Sequence, residues 1–182
     1  DRIVRIDDEL KRYAIFLAFL NNWFIKKNLG YLVVTGGFAV ELLTGRAYRT
    51  YDIDLITSDH RVCKVLEGFL NRFSEKISHG YLPFFEELSS KSIEVVSTIY
   101  SRSKKPIHIE VNGYPLYVDP PEDLIVMYLV AWKYWSSTID RDKAIWLYIV
   151  LKDRLDIEYL RKRVVEEDVL DKFEDLMRLT SS

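Results

Sequence analysis

The chain of 182 residues contains no glutamine, one cysteine, two methionines, five prolines and seven glycines. A single thiol, Cys63, excludes an intramolecular disulfide framework and a zinc site built on cysteines, and it makes an intracellular, cytoplasmic location the expectation. No apolar run approaches the length of a membrane-spanning helix; the run at residues 145–151, for one, is far too short. A basic start followed by an apolar stretch, the mark of a secretory signal, is also missing. A formal charge of −2 is too small to coat the surface with one sign, so binding to a polyanion would require a local patch. The absence of glutamine beside abundant Lys, Arg, Glu and Ile points weakly to a thermophilic source. What remains is a globular composition, 48% apolar and 30% charged, long enough to bury a real core.

Periodicity divides the chain in two. Apolar residues at helical spacing (Leu10, Tyr13, Ala14, Leu17, Leu20, Phe24) predict a helix over 8–27, closed by Asn28-Leu29-Gly30. Residues 31–35 form a short β-branched run, 37–43 read as a short helix, and 51–57 read as a second strand. Ser58 or Asp59 can cap a further helix reaching about residue 73. From 77 to 118 the pattern is strand-like with weak borders: 92–100 and 107–111 alternate, and Asn112-Gly113 marks a hairpin returning over 114–118. After Asp119-Pro120-Pro121 the pattern is helical, over 121–135, 140–152, 157–165 and 168–179. The expectation is therefore an α+β (mixed α/β) fold, with a sheet-bearing half at 1–118 and a helical region at 119–182.

The most telling segment is Gly36-Gly37-Phe38-Ala39, followed after a short helix by Tyr51-Asp52-Ile53-Asp54-Leu55. On a strand, Asp52 and Asp54 point to the same face. Two like charges there call for a cation, and paired carboxylates are hard-oxygen ligands suited to Mg2+ or Mn2+. The glycines let backbone N–H groups at a helix start approach a phosphate. Arg46 and Arg49, between the two elements, could each meet a phosphate in bidentate fashion. Glu110 shares a strand face with His108 and Asn112, the polar face if Ile107, Ile109 and Val111 turn to the core. It is the expected third acid, provided its strand neighbours that of Asp52, and Glu94 is the runner-up.

These residues resemble the nucleotidyltransferase superfamily that includes DNA polymerase beta, and within it the small prokaryotic AbiEii-toxin-like nucleotidyltransferases. The match is carried by Gly36, Gly37, Ala39, Gly45, Arg49, Thr50, Asp52, Ile53, Asp54 and Leu55, and again by Pro121-Glu122-Asp123-Leu124-Ile125 and Arg141-Asp142. It covers roughly residues 31–159, with poor matching between 75 and 105. The resemblance implies an NTP substrate, two Mg2+ or Mn2+ ions on Asp52, Asp54 and Glu110, and a triphosphate held by Gly36, Gly37, Phe38, Arg46 and Arg49. It implies NMP transfer to a hydroxyl, on an RNA 3′ end, a protein or a small molecule, and for a toxin-like member an antitoxin protein partner. Two positions depart from the pattern. Phe38 replaces a Ser or Thr, leaving only backbone N–H groups there, and Tyr128 replaces a Lys, for which Lys133 is a poor geometrical substitute and Arg141 a candidate.

Other readings stay open at this point. The departures suit a degenerate, non-catalytic module that binds nucleotide or another protein, and the helical half could instead be a dimerisation surface. The aromatic group Trp132, Tyr134, Trp135, Trp146, Tyr128 and Tyr148 reads mainly as helix-packing core, although aromatic residues can stack a base. The basic turn 102–105 could touch RNA phosphates but reads first as a solvated loop.

Overall fold

The computed structural model describes residues 6–45 and 48–181. In order these form α1 (Glu9–Lys26), β1 (Leu32–Thr35), α2 (Gly36–Thr44), β2 (Asp52–Thr57), α3 (His60–Phe73), β3 (Ser74–Ile77), β4 (Gly80–Pro83), a 3-10 turn at Glu86–Leu88, β5 (Ser92–Ser97), β6 (Ile107–Val111), β7 (Tyr114–Val118), α4 (Pro121–Trp135), α5 (Thr138–Leu151), α6 (Ile157–Glu166) and α7 (Leu170–Leu179). The chain separates into two compact units: up to Ala39 with Arg49–Asp119, and Val40–Tyr48 with everything from Pro120 on.

The first unit is built on a seven-stranded mixed sheet of order β3-β4-β5-β2-β1-β7-β6. β1 runs parallel to β7 and β2 parallel to β5; the remaining pairs are antiparallel. One face carries Val34, Ile53, Leu55, Ile93, Leu116 and Val118, all 1% exposed or less, which is where period-two alternation puts the core. α1 and α3 lie on that side. Phe19 of α1 meets Tyr114 of β7 edge-on at 5.9 Å, and α1 and α3 together line an aromatic cavity of about 640 Å³. Carboxylate caps start both helices: Asp8 accepts from Lys11 N at 2.9 Å, and Asp59 accepts from Arg61 N at 2.8 Å. Asn112 and Gly113, with φ of 53° and 79°, form the tight β6–β7 turn that the Asn-Gly pair predicts.

Two elements differ from the sequence expectation. β4 falls within the strand-like stretch from residue 77, but β3 begins before it, because Ser-Glu-Lys-Ile has one apolar residue and finds its register only by pairing with Gly80–Pro83. The strand expected over 92–100 stops at Ser97, whose hydroxyl donates to Ile99 O at 2.9 Å and turns the chain.

In the second unit α4 is the buried centre. Leu124, Ile125 and Leu129 are fully buried, as are Ala144 and Leu147 of α5, Leu160 and Val164 of α6, and Phe173 and Leu176 of α7. The acids of its first turn are buried too, and their partners lie within the same unit. Glu122 accepts from Asp156 N at 2.8 Å, and Asp123 is held by Tyr159 OH at 3.0 Å and Arg163 Nε at 3.1 Å. The Pro-Glu-Asp segment thus clamps α6. The aromatic group divides. Tyr128 is buried and Tyr148 packs edge-on to Phe173 at 6.2 Å, but Tyr134, Trp135 and Trp146 are exposed, so the core reading fails for those three. Among the described residues no helix is long and apolar enough to cross a membrane.

Candidate functional site

β2 begins at Asp52, and its polar edge is assembled by register. Asp52 aligns with Ser92 and Asp54 with Glu94 across the parallel β2–β5 pair, while Asp54 aligns with Thr35 across β1–β2. Residues in register on adjacent strands share a face, so Asp52, Asp54 and Glu94 project to the same side, opposite the buried Ile53 and Ile93. The sheet thus brings three carboxylate-bearing residues onto two neighbouring strands. Among the described residues, however, no three His, Cys, Asp or Glu side chains stand close enough to form a ready-made metal cluster. The donor set still suits a hard divalent cation, being all carboxylate oxygen with no sulfur or imidazole.

α2 starts directly after β1, with no intervening loop. Gly36 has φ +62°, and a Cβ there would fall 2.9 Å from Cγ of Asp54 and closer still to Oδ2. A Cβ on Gly37 would meet Thr50 Cβ and Oγ1 at 2.9 Å. Both glycines are therefore required by close approach: the start of the helix lies directly against the Asp54 carboxylate. Thr50, 6% exposed, donates its hydroxyl to Oδ1 of Asp52. Phe38 is fully buried, edge-on to Tyr13 at 6.1 Å, so its side chain belongs to the core.

Glu110 is not brought to this pair. It shares the face of Asp52 and Asp54, as alternation requires, but β1 and β7 lie between β2 and β6. Three strand spacings put it roughly 14 Å away, at the sheet's edge. The condition that the two strands be neighbours fails, and Glu94, on β5, occupies the adjacent place. Arg49 forms an ion pair with Glu9 at 2.9 Å, and Arg46 lies outside the described residues. Of the basic turn, Arg102 pairs with the fully buried Asp119 at 3.1 Å, which also accepts from Thr35 Oγ1 at 2.8 Å.

In the second unit Tyr128 stands where the sequence resemblance implies a Lys. The Lys143 ammonium from α5 lies 5.0 Å from its ring centre and 4.9 Å from that of Tyr48, and pairs with Asp140 at 2.9 Å. Lys133 is engaged by Asp168 and Asp171 at 3.3 and 3.1 Å, and Arg141 by Asp142 at 2.8 Å. Sequence reasoning missed two residues. Lys143 could not be found from spacing within α4, and Lys91, 1% exposed at the start of β5, carried no motif.

Solved structures of similar fold agree in kind. A nucleotidyltransferase-like protein from Paracoccidioides brasiliensis matches with a TM-score of 0.58 at 17% identity, over 92% of this chain and 93% of that one. This chain matches the solution structure of the antibiotic-resistance factor ANT(2'')-Ia with a TM-score of 0.51 at 19% identity, over 91% of this chain and 97% of that one. It matches the crystal structure of ANT(2'')-Ia in complex with adenylyl-2''-tobramycin with a TM-score of 0.53 at 16% identity, over 85% of this chain and 94% of that one. At these identities the likeness is one of fold. A comparison with curated proteins returns no match. Residues 8–179 match the family described as a nucleotidyltransferase of unknown function (DUF6036), and the chain belongs to that family.

Proposed function

We propose that this protein is a metal-dependent nucleotidyltransferase that moves an NMP group from an NTP to an acceptor hydroxyl. The observation that carries the proposal is the register of Asp52, Asp54 and Glu94 beside the glycine-opened start of α2. Two divalent ions bound there would neutralise the triphosphate and acidify the acceptor hydroxyl. Asp52 and Asp54 hold the ions, and the N–H groups at Gly36 and Gly37 face the phosphates. The acceptor oxygen bonds to the α-phosphorus, the bond from that phosphorus to the α,β-bridging oxygen breaks, and pyrophosphate leaves. The acceptor's proton passes to Glu94. ANT(2'')-Ia, whose structure holds an adenylylated aminoglycoside, supports a small hydroxylated acceptor; an RNA 3′ end and an antitoxin partner rest on the sequence resemblance alone.

Calorimetric titration of the four NTPs with Mn2+ tests the reading on wild type, Asp52→Asn, Glu94→Gln and Glu110→Gln. Metal-dependent binding in wild type should weaken about 10- to 100-fold in Asp52→Asn, since even residues behind metal ligands cost that much, and stay unchanged in Glu110→Gln; Glu94→Gln should keep binding and lose transfer. The most responsive NTP, labelled at its α-phosphate, is then offered RNA, the protein itself and an aminoglycoside as acceptors. Equal binding by all four proteins would sink the site. Tight binding without transfer to any acceptor would favour the non-catalytic module instead.

A further inference from the structure

Lys91 is 1% exposed, an unusual place for an ammonium group. Its Nζ donates to the carbonyl oxygen of Thr50 and lies 5.6 Å from the ring centre of Phe38. Its backbone N–H donates to Tyr13 OH at 2.9 Å, and the next residue, Ser92, donates from its N to Tyr51 O at 3.0 Å. Lys91 therefore ties the entry of β5 to the entry of β2, at the point where the chain turns into Asp52. Thr50 completes the connection: its backbone is held by Lys91, its side chain packs over Gly37, and its single hydroxyl proton goes to Oδ1 of Asp52.

Burying an ammonium costs desolvation that a methionine of similar length would avoid, and apolar replacement of buried ions is often neutral or stabilising. What an apolar side chain cannot do is fix the Thr50 carbonyl, and with it the direction from which the Thr50 hydroxyl meets Asp52.

We infer that Lys91 is a positioning residue for the acid pair: through Thr50 it holds the Asp52 carboxylate with one oxygen engaged and the other turned out for a cation. This rests on the reading of Asp52 and Asp54 as metal ligands. The cost of the buried charge is borne by the fold, and the return is a ligand already oriented when the ion arrives.

The test uses the full chain with Mn2+ and ATP, reading free Mn2+ by electron paramagnetic resonance and stability by thermal denaturation. Lys91→Met should weaken Mn2+ binding about 10-fold or more, the scale seen for residues behind metal ligands, in protein that thermal denaturation shows to be folded. Thr50→Val keeps the branched shape over Gly37 and removes only the hydroxyl, so it should produce the same loss. The double variant should be no worse than either single change, because both break one connection. Unchanged Mn2+ binding in Thr50→Val overturns the inference even where Lys91→Met fails to fold, and strictly additive losses overturn it as well. Asp52→Asn serves as the separate arm. Wild type that binds no Mn2+ with ATP, or binds it as Asp52→Asn does, removes the site reading and this inference with it. Loss in Asp52→Asn with none in Thr50→Val removes the inference alone.

Discussion

Replacing Gly36 by alanine separates the two reasons a glycine stands there. The first is backbone strain. At φ +62° a non-glycine residue sits in the left-handed region, at a cost of roughly 1–2 kcal/mol. For a chain of 182 residues that lowers the melting temperature by about 2–8 °C, taking 2–4 °C for each kcal/mol. The second is contact: the new Cβ would stand 2.9 Å from Cγ and 3.1 Å from Cβ of Asp54, with Oδ2 nearer still, so the carboxylate must swing away. Displacing a reacting or ligating group by ~1 Å costs on the order of 100-fold in rate. Gly113→Ala is the matched control, since its φ is +79° and a Cβ there meets nothing within 4 Å. Both variants should lose similar stability by thermal denaturation without ligand. Only Gly36→Ala should lose metal-dependent NTP binding by calorimetry, and nucleotide transfer with it. Equal binding by the two alanine variants would refute the argument that the start of α2 and Asp54 form one site.

Two further predictions concern charge. Arg163 is held by Asp123, Glu166 and Glu167; burial alone would lower its pKa, and the three carboxylates outweigh burial and raise it. Arg163→Met leaves Asp123, 1% exposed at its side chain, without its cationic partner and with the Tyr159 hydroxyl still donating to it, and should cost about 3 kcal/mol in urea unfolding. Adding Asp123→Asn should restore part of that loss, and a double variant as unstable as the sum of the singles would contradict the pairing. Glu9 titrates below its usual 4.5: burial would raise it, but the Ser90 hydroxyl and the charges of Lys91 and Arg49 outweigh that. Its folded pKa lies below the unfolded one. Its contribution to stability is therefore complete above that ordinary value and is lost as pH falls through the folded one. Urea midpoints measured below about pH 5 should fall less steeply in Glu9→Gln than in wild type; parallel curves would show that Glu9 carries no such linkage.

Local chemistry made most elements legible. Asp8 and Asp59 announce their helices because a carboxylate before an apolar-periodic run has orphan N–H groups to satisfy, and Asn112-Gly113 announces its turn because both residues tolerate positive φ. β3 was illegible because three of its four residues are charged or hydroxylated and its order comes from pairing with β4 rather than from pattern. The same distinction decides the third acid. Glu94 and Glu110 both sit in alternating strands and both face the side of Asp52. Periodicity assigns the face correctly for each and is silent on strand order, which depends on crossovers tens of residues long.

Strand order also explains why the buried lysine escaped notice. Lys91 precedes β5 by one residue and Thr50 precedes β2 by two, forty-one positions apart in the chain. Nothing local marks Lys91: a lysine between Ser90 and Ser92 looks like a solvated strand end. Only the parallel pairing of β2 with β5 brings the two strand entries together and shuts the ammonium away from water. The pairing that aligns Glu94 with Asp54 is thus the pairing that seats Lys91 beneath Thr50. A change that slips β5 by one residue would turn Glu94 to the opposite face and withdraw Lys91 from Thr50 at the same time. On this argument the acid pair of β2 is legible in the sequence because it is local, while its third carboxylate and its support are properties of the sheet.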